Sequence, residues 1–136
     1  MVVSVAGVIA TASVLASARP ALAQAQAGAA TRLRFDADQA KRGVALFDKS
    51  CGTCHDGGTM GPELWGGKFV SDWARKDARA LYERIRTTMP ENAPGSLSET
   101  EVLDVLAFVL RENGHEAGGA PLTSAGQLEN VRVGGQ

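Results

Sequence analysis

Both cysteines of this chain and one of its two histidines fall in a single pentapeptide, Cys51-Gly52-Thr53-Cys54-His55. Thiols placed this close make a poor staple. A disulfide works largely by removing loop-closure entropy from the unfolded chain, and a loop closed over Gly52 and Thr53 has little to remove. A structural zinc site needs four ligands, and outside the pentapeptide only His115 and carboxylates remain to supply them. A thioredoxin-like dithiol would follow a strand within a βαβ pattern, and no stretch of this sequence alternates with strand period.

C-x-x-C-H is the attachment signature of c-type haem. The spacing follows from the chemistry. Two thiols add across the two vinyl groups of a porphyrin to form thioethers, and the adjoining imidazole then sits under the iron. Cys51 and Cys54 are therefore expected to hold the macrocycle, and His55 to supply the proximal nitrogen. A covalent cofactor also answers a packing problem. Aromatic residues are only 5% of the chain, and a small helical domain with glycine-rich loops often needs a metal, a disulfide or another filler to complete its core.

The rest of the chain reads as helix and loop. Asp36 or Asp38 can cap a first helix, on which Ala40, Val44 and Phe47 share a face with Gly43. Residues 51–68 read as loop. The segment 71–90 predicts one or two short helices, with Ala78, Leu81, Tyr82 and Ile85 on one stripe and Pro90 as the stop. Ser98 and Glu101 form a capping box. They open the clearest helix, with Val102, Val105, Leu106, Val109 and Leu110 in an apolar stripe and Gly114 as its end. The expected fold class is therefore all-α: three or four helices around the haem over residues 32–114, then a loop-rich extension over 115–136.

The first residues look different. The apolar run Val2–Leu15 is too short to span a bilayer. It has the length of a signal-peptide core, followed by small-x-small sites at Ala21-Leu22-Ala23 and Ala23-Gln24-Ala25. Residues 1–23 are read as a signal peptide and 24–31 as a flexible leader; the competing readings are an Ala-rich disordered leader and an uncleaved anchor. Only the terminal amine puts positive charge ahead of the run, which points to a start further upstream. Export would place the mature chain in the periplasm with no membrane span. Losing Arg19 leaves 13 basic and 15 acidic side chains, 13 − 15 = −2. Such a balance offers no basic surface for nucleic acid. The locally basic run Arg75, Lys76, Arg79, Arg84 and Arg86 reads as a solvated helix face, with a docking rim for an acidic partner as the sharper alternative.

A sixth iron ligand decides between electron transfer and binding of gases or peroxide. The candidates are Met60, Met89 and His115. Met60 lies five residues past His55, on the proximal side. Met89 lies in the proline-bordered loop MPENAPGS, from which a thioether can reach the opposite face, and it is the preferred ligand. His115, just past the helix stop, is expected to be exposed. Trp65 and Trp73 are candidates to donate an indole N–H to a haem propionate, and Arg84 or Arg86 to pair with one; plain packing competes for each.

Over residues 36–114 the order of pieces resembles class I c-type cytochromes: a helix with Gly43 and Phe47, CGTCH, GPEL, an aromatic-bearing middle helix, Met89-Pro90 and a last helix carrying Phe108. The resemblance implies that the Gly43 helix crosses the last helix against Phe108. It also implies that the Pro62 carbonyl accepts the Nδ1–H of His55, which raises ligand basicity. The loop from His55 to Pro62 is short for that family. GPELWGGKF, the stretch from Ile85 to Gly114, and GGAPL are further similar to haem c domains and partner cytochromes of quinoprotein (PQQ-dependent) alcohol dehydrogenases. The implied function is a non-catalytic one-electron carrier between a donor dehydrogenase and an acceptor cytochrome or oxidase, either as a monomer or within a redox complex. The alternatives are a bound haem c subunit of a larger dehydrogenase, and a haem sensor or peroxidase with a labile sixth ligand.

Overall fold

The computed structural model describes Met1 and residues 33–135. The expected leader, and all of the expected signal peptide but Met1, lie outside the described residues. Among the described residues five α-helices form: α1 Ala37–Ser50, α2 Gly52–His55, α3 Gly66–Asp72, α4 Ala78–Thr88 and α5 Glu99–Glu112. The stretch expected as loop from Cys51 to Lys68 thus holds the short α2 and the start of α3. The segment 71–90 divides into the end of α3 and the whole of α4. Two-residue strands β1 (Arg34–Phe35) and β2 (Glu116–Ala117) pair in parallel at the two ends of the helical region. Only two residues pair on each strand, so they leave no period for sequence reading to detect.

Each main helix begins where a side chain satisfies its free N–H groups. Asp36 accepts from the Gln39 N–H at 3.1 Å to cap α1, and Asp77 accepts from the Ala80 N–H at 3.0 Å to cap α4. The expected box closes α5: Ser98 Oγ accepts from the Glu101 N–H at 3.3 Å, and the Ser98 N–H donates to Glu101 Oε2 at 2.8 Å. Hydrogen bonds from the Ser98 backbone and hydroxyl hold the Glu101 carboxyl below the usual carboxylate range. A depressed acid stabilises the fold above its ordinary pKa, so this contribution fades as pH falls through the carboxylate range.

Helix α5 is the centre of the molecule. Every residue from Val102 to Leu110 is buried, as expected of a helix packed on all sides. The one charge in that span, Asp104, receives both Nε (2.9 Å) and Nη2 (3.1 Å) of Arg42 on α1. A bidentate pair of this kind is the arrangement that makes a buried carboxylate tolerable. Helices α1 and α5 cross at Gly43. A Cβ built there would lie 2.0 Å from the Asp104 carbonyl oxygen and 2.9 Å from Phe108 Cβ, so the crossing admits no side chain.

The segment after α5 has little regular structure but is no loose appendage. Leu122, Leu128, Val131 and Val133 all join the core. Buried Gln39 clamps this segment to α1: its amide donates to the Leu122 carbonyl at 2.9 Å and accepts the Leu122 N–H at 2.8 Å. Gln39→Leu leaves both of those backbone groups buried and unpaired. It is expected to cost about 2–4 kcal/mol, read as a lower midpoint in guanidinium unfolding.

An exposed His115 is not what forms. The returning tail covers it to 4% exposure. Its Nδ1 accepts the Leu33 N–H at 3.0 Å, and its Nε2 faces the Arg132 carbonyl at 2.9 Å. A carbonyl can only accept, so Nε2 carries the hydrogen. This ring ties the beginning of the described chain to its end. The residue after a helix-stopping glycine looked solvent-facing only because nothing in the sequence showed that residues 116–135 fold back over it.

Candidate functional site

The pentapeptide forms one tight turn. Cys51 ends α1 and begins α2, and its carbonyl accepts the N–H groups of Cys54 (3.1 Å) and His55 (3.0 Å). Residues three apart on a helix share a face, so the two thiols lie on one side of the turn. They are not bridged to one another. Cys51 packs partly against the core, and its burial, with Cys54 beside it, pushes its thiol up from the ordinary value.

His55 closes α2, and its ring is held from one side. Nδ1 lies 2.7 Å from the Pro62 carbonyl oxygen. That oxygen can only accept, so Nδ1 bears the hydrogen and Nε2 keeps the lone pair a metal would use. Gly61 makes the approach close enough. A Cβ at that position would stand 2.9 Å from both Cε1 and Nδ1 of the imidazole. The Gly61 N–H also donates to the Cys54 carbonyl at 2.9 Å, closing the short loop back on the motif. The packing role of Gly61 went unread in the sequence. A glycine immediately before the proline that serves the histidine was the available signal.

His55, Pro62, Trp73 and Met89 line one cleft of about 650 Å³, within the ~300–1,000 Å³ range of small-molecule and cofactor sites. Leu64, Phe69, Leu81, Ile85 and Val109 make its walls apolar. The stripes read from the sequence as core-facing on α4 and α5 therefore face this cleft in part. Met89 is the C-terminal cap of α4, its N–H bonded to the Ile85 carbonyl at 3.1 Å. The neighbouring hydroxyls of Thr87 and Thr88 donate back to the Glu83 and Arg84 carbonyls at 2.7 Å each. Their hydroxyls are thus spent within the helix, and Met89 packs partly against the core.

The other sequence candidates separate. Trp73 forms part of the cleft wall, 6.0 Å centroid to centroid from Phe69, with Lys76 4.9 Å over its ring. Trp65 does not line the cleft; it joins Phe47 (5.6 Å) and Phe108 (6.0 Å) in an aromatic cluster beside the α1–α5 crossing. Arg84 borders the cleft, whereas Arg86 points to the Gly95 carbonyl at 3.4 Å. Arg79 is ion-paired with Glu83 and Glu129. Met60 is 68% exposed and, like His115, is not part of the cleft.

An apolar cleft lined by both an imidazole with its Nε2 lone pair free and a thioether suits a c-type haem, and the two thiols lie within one turn of that imidazole. Comparison with known families agrees. The model of the family described as cytochrome c oxidase, cbb3-type, subunit III matches residues 38–109, more than half of the chain. The chain belongs to this family. It is a c-type cytochrome, a haem c electron-transfer protein. The match runs from the first turn of α1 to near the end of α5 and takes in the pentapeptide, Pro62 and Met89. No curated protein and no solved structure matches the chain. Among the described residues, no helix is long and apolar enough to cross a membrane.

Proposed function

We propose that this cytochrome is an exported, periplasmic one-electron carrier, with Cys51 and Cys54 as the thioether residues and His55 and Met89 as the two axial ligands. The haem, when bound, supplies a single iron that gains or loses one electron. The chain's own residues do the rest. Pro62 orients His55 and makes it a stronger donor. Met89 would occupy the second axial position and so raise the potential. Leu81, Ile85 and Val109 exclude water from the cleft. If His55 and Met89 both bind the iron, they would leave no coordination site for a substrate, and catalysis is not expected of this chain alone. Trp73 and Arg84, at the cleft, are the residues placed to meet the propionates. The observation that carries the reading is the bond of His55 Nδ1 to the Pro62 carbonyl at 2.7 Å, made in the cleft that also holds Met89.

On this reading the donor is a quinoprotein dehydrogenase and the acceptor a downstream cytochrome or oxidase. A second reading, a haem c subunit fixed within a larger redox complex, is favoured by the matched family, whose description is that of an oxidase subunit. Co-purification of the tagged chain from its native membranes separates the two: recovery as a lone cytochrome supports the shuttle, and stoichiometric recovery with a catalytic chain supports the subunit.

The cofactor assignment is tested by a pyridine haemochrome spectrum of protein made in a host competent for c-haem assembly. The wild type is expected to show a haem bonded through two thioethers. Cys51→Ala and Cys54→Ala are each expected to shift that spectrum toward a single thioether or to abolish stable haem. A wild-type spectrum of acid-extractable haem would defeat the assignment.

A further inference from the structure

Buried Asn113, at the C-terminal end of α5, has an amide oxygen with no hydrogen-bond partner among the described residues. A polar atom left in that condition calls for an explanation. The other end of the same amide supplies one. Asn113 Nδ2 donates to the Val109 carbonyl at 2.7 Å, within its own helix, and to the Leu64 carbonyl at 2.9 Å, forty-nine residues away in sequence. A helix end needs only the first of these bonds. The second crosses to the loop that carries Pro62.

Leu64 and Trp65 pack against the core, but packing alone does not fix where the Pro62 carbonyl points. Pro62 and Glu63 are exposed, and Leu64 is only partly buried. Pro62 has no N–H with which to tie itself down. Yet its carbonyl must stay within hydrogen-bonding distance of His55, two residues before the point where Asn113 grips the chain. The Gly61 N–H holds the loop on one side of Pro62, through the Cys54 carbonyl at 2.9 Å, and Asn113 holds it on the other.

We propose that Asn113 is a positioning residue for the proximal histidine. By pinning Leu64 to the rigid end of α5, it keeps the Pro62 carbonyl on the His55 ring and so sets how strongly that imidazole donates to the iron. The inference rests on the reading of His55 as an axial ligand. The unpartnered amide oxygen is the cost of placing a two-donor group where it can reach both carbonyls.

The test uses holo-protein and two replacements. Asn113→Leu keeps the approximate shape and removes both donors. Asn113→Ser has a hydroxyl that can still donate to the carbonyl four residues back, but it is too short to serve Val109 and Leu64 together. Gln39→Leu is the control, since it weakens the fold at a site remote from the loop. In the Asn113 variants, the His55 Nδ1–H resonance is expected to exchange with solvent at least about tenfold faster, equivalent to a loss of roughly 1.4 kcal/mol of protection. The midpoint potential is expected to rise, because a weaker donor stabilises ferric iron less. Gln39→Leu is expected to lower the melting temperature without either change. If Asn113→Leu melts lower but keeps wild-type Nδ1–H exchange and potential, Asn113 only caps α5 and the proposal is overturned. If Asn113→Leu does not fold, Asn113→Ser decides by the same two readouts. Failure of the underlying ligand reading looks different: His55→Ala would then leave the wild-type axial spectrum intact.

Discussion

Gly43→Ala is expected to destabilise the protein by at least about 3 kcal/mol, the upper part of the range for overpacked cores. The added methyl would lie 2.0 Å from the Asp104 carbonyl oxygen and 2.7 Å from its carbonyl carbon. Both are backbone atoms in the middle of α5, so no rotamer change can relieve the contact. The helices must separate. Separation pulls Phe47 from Phe108, whose rings lie 5.1 Å apart, and stretches the two bonds between Arg42 and Asp104. Alanine's better helix propensity returns only about 1 kcal/mol. Against a total stability on the order of 5–15 kcal/mol, the loss appears as a large drop in melting temperature or in the yield of folded holo-protein. Gly43→Val should be worse. Melting within a few degrees of wild type would mean that α1 and α5 do not cross as closely as described.

The second large effect concerns ligation. Met89→Ala is expected to abolish the long-wavelength ferric absorption of the Met–iron bond and to lower the midpoint potential. The fall should be on the order of 0.1 V, well within the ~0.8 V range over which axial ligands tune haem. An opened sixth position should also let the protein bind small exogenous ligands and show weak peroxidase activity, the behaviour the wild type is expected to lack. Met60→Ala, at an exposed position outside the cleft, should change neither absorption nor potential. If the band survives in Met89→Ala and vanishes in Met60→Ala, the assignment is reversed.

What could be read in advance was whatever depends on local order. The pentapeptide states its chemistry by spacing alone, because two vinyl-reactive thiols and a ligand must come from one turn. Asp36, Ser98 and Glu101 act within three residues of themselves, so their caps were visible. The stripes on α4 and α5 were visible because helical periodicity is a property of neighbours. Gly43 drew attention as a glycine inside a helix, and the resemblance of the surrounding pieces supplied its partner.

What escaped was set by contacts between residues far apart in the chain. Gln39 bonds Leu122, eighty-three residues away, and His115 bonds Leu33 across eighty-two. Both are polar residues that sequence patterning assigns to the surface, and only the return of the tail buries them. Trp65 and Trp73 are eight residues apart and looked equivalent, yet the turn between α3 and α4 leaves Trp73 on the cleft wall while Trp65 joins the cluster at the crossing. The sequence by itself determined the covalent chemistry, the helices and their starting points, since each depends on residues within a turn of one another. The tertiary structure alone decided which faces enclose the cleft, what covers His115, and that Asn113 reaches the proximal loop, because burial and hydrogen-bond partnership arise only when distant segments share the same space.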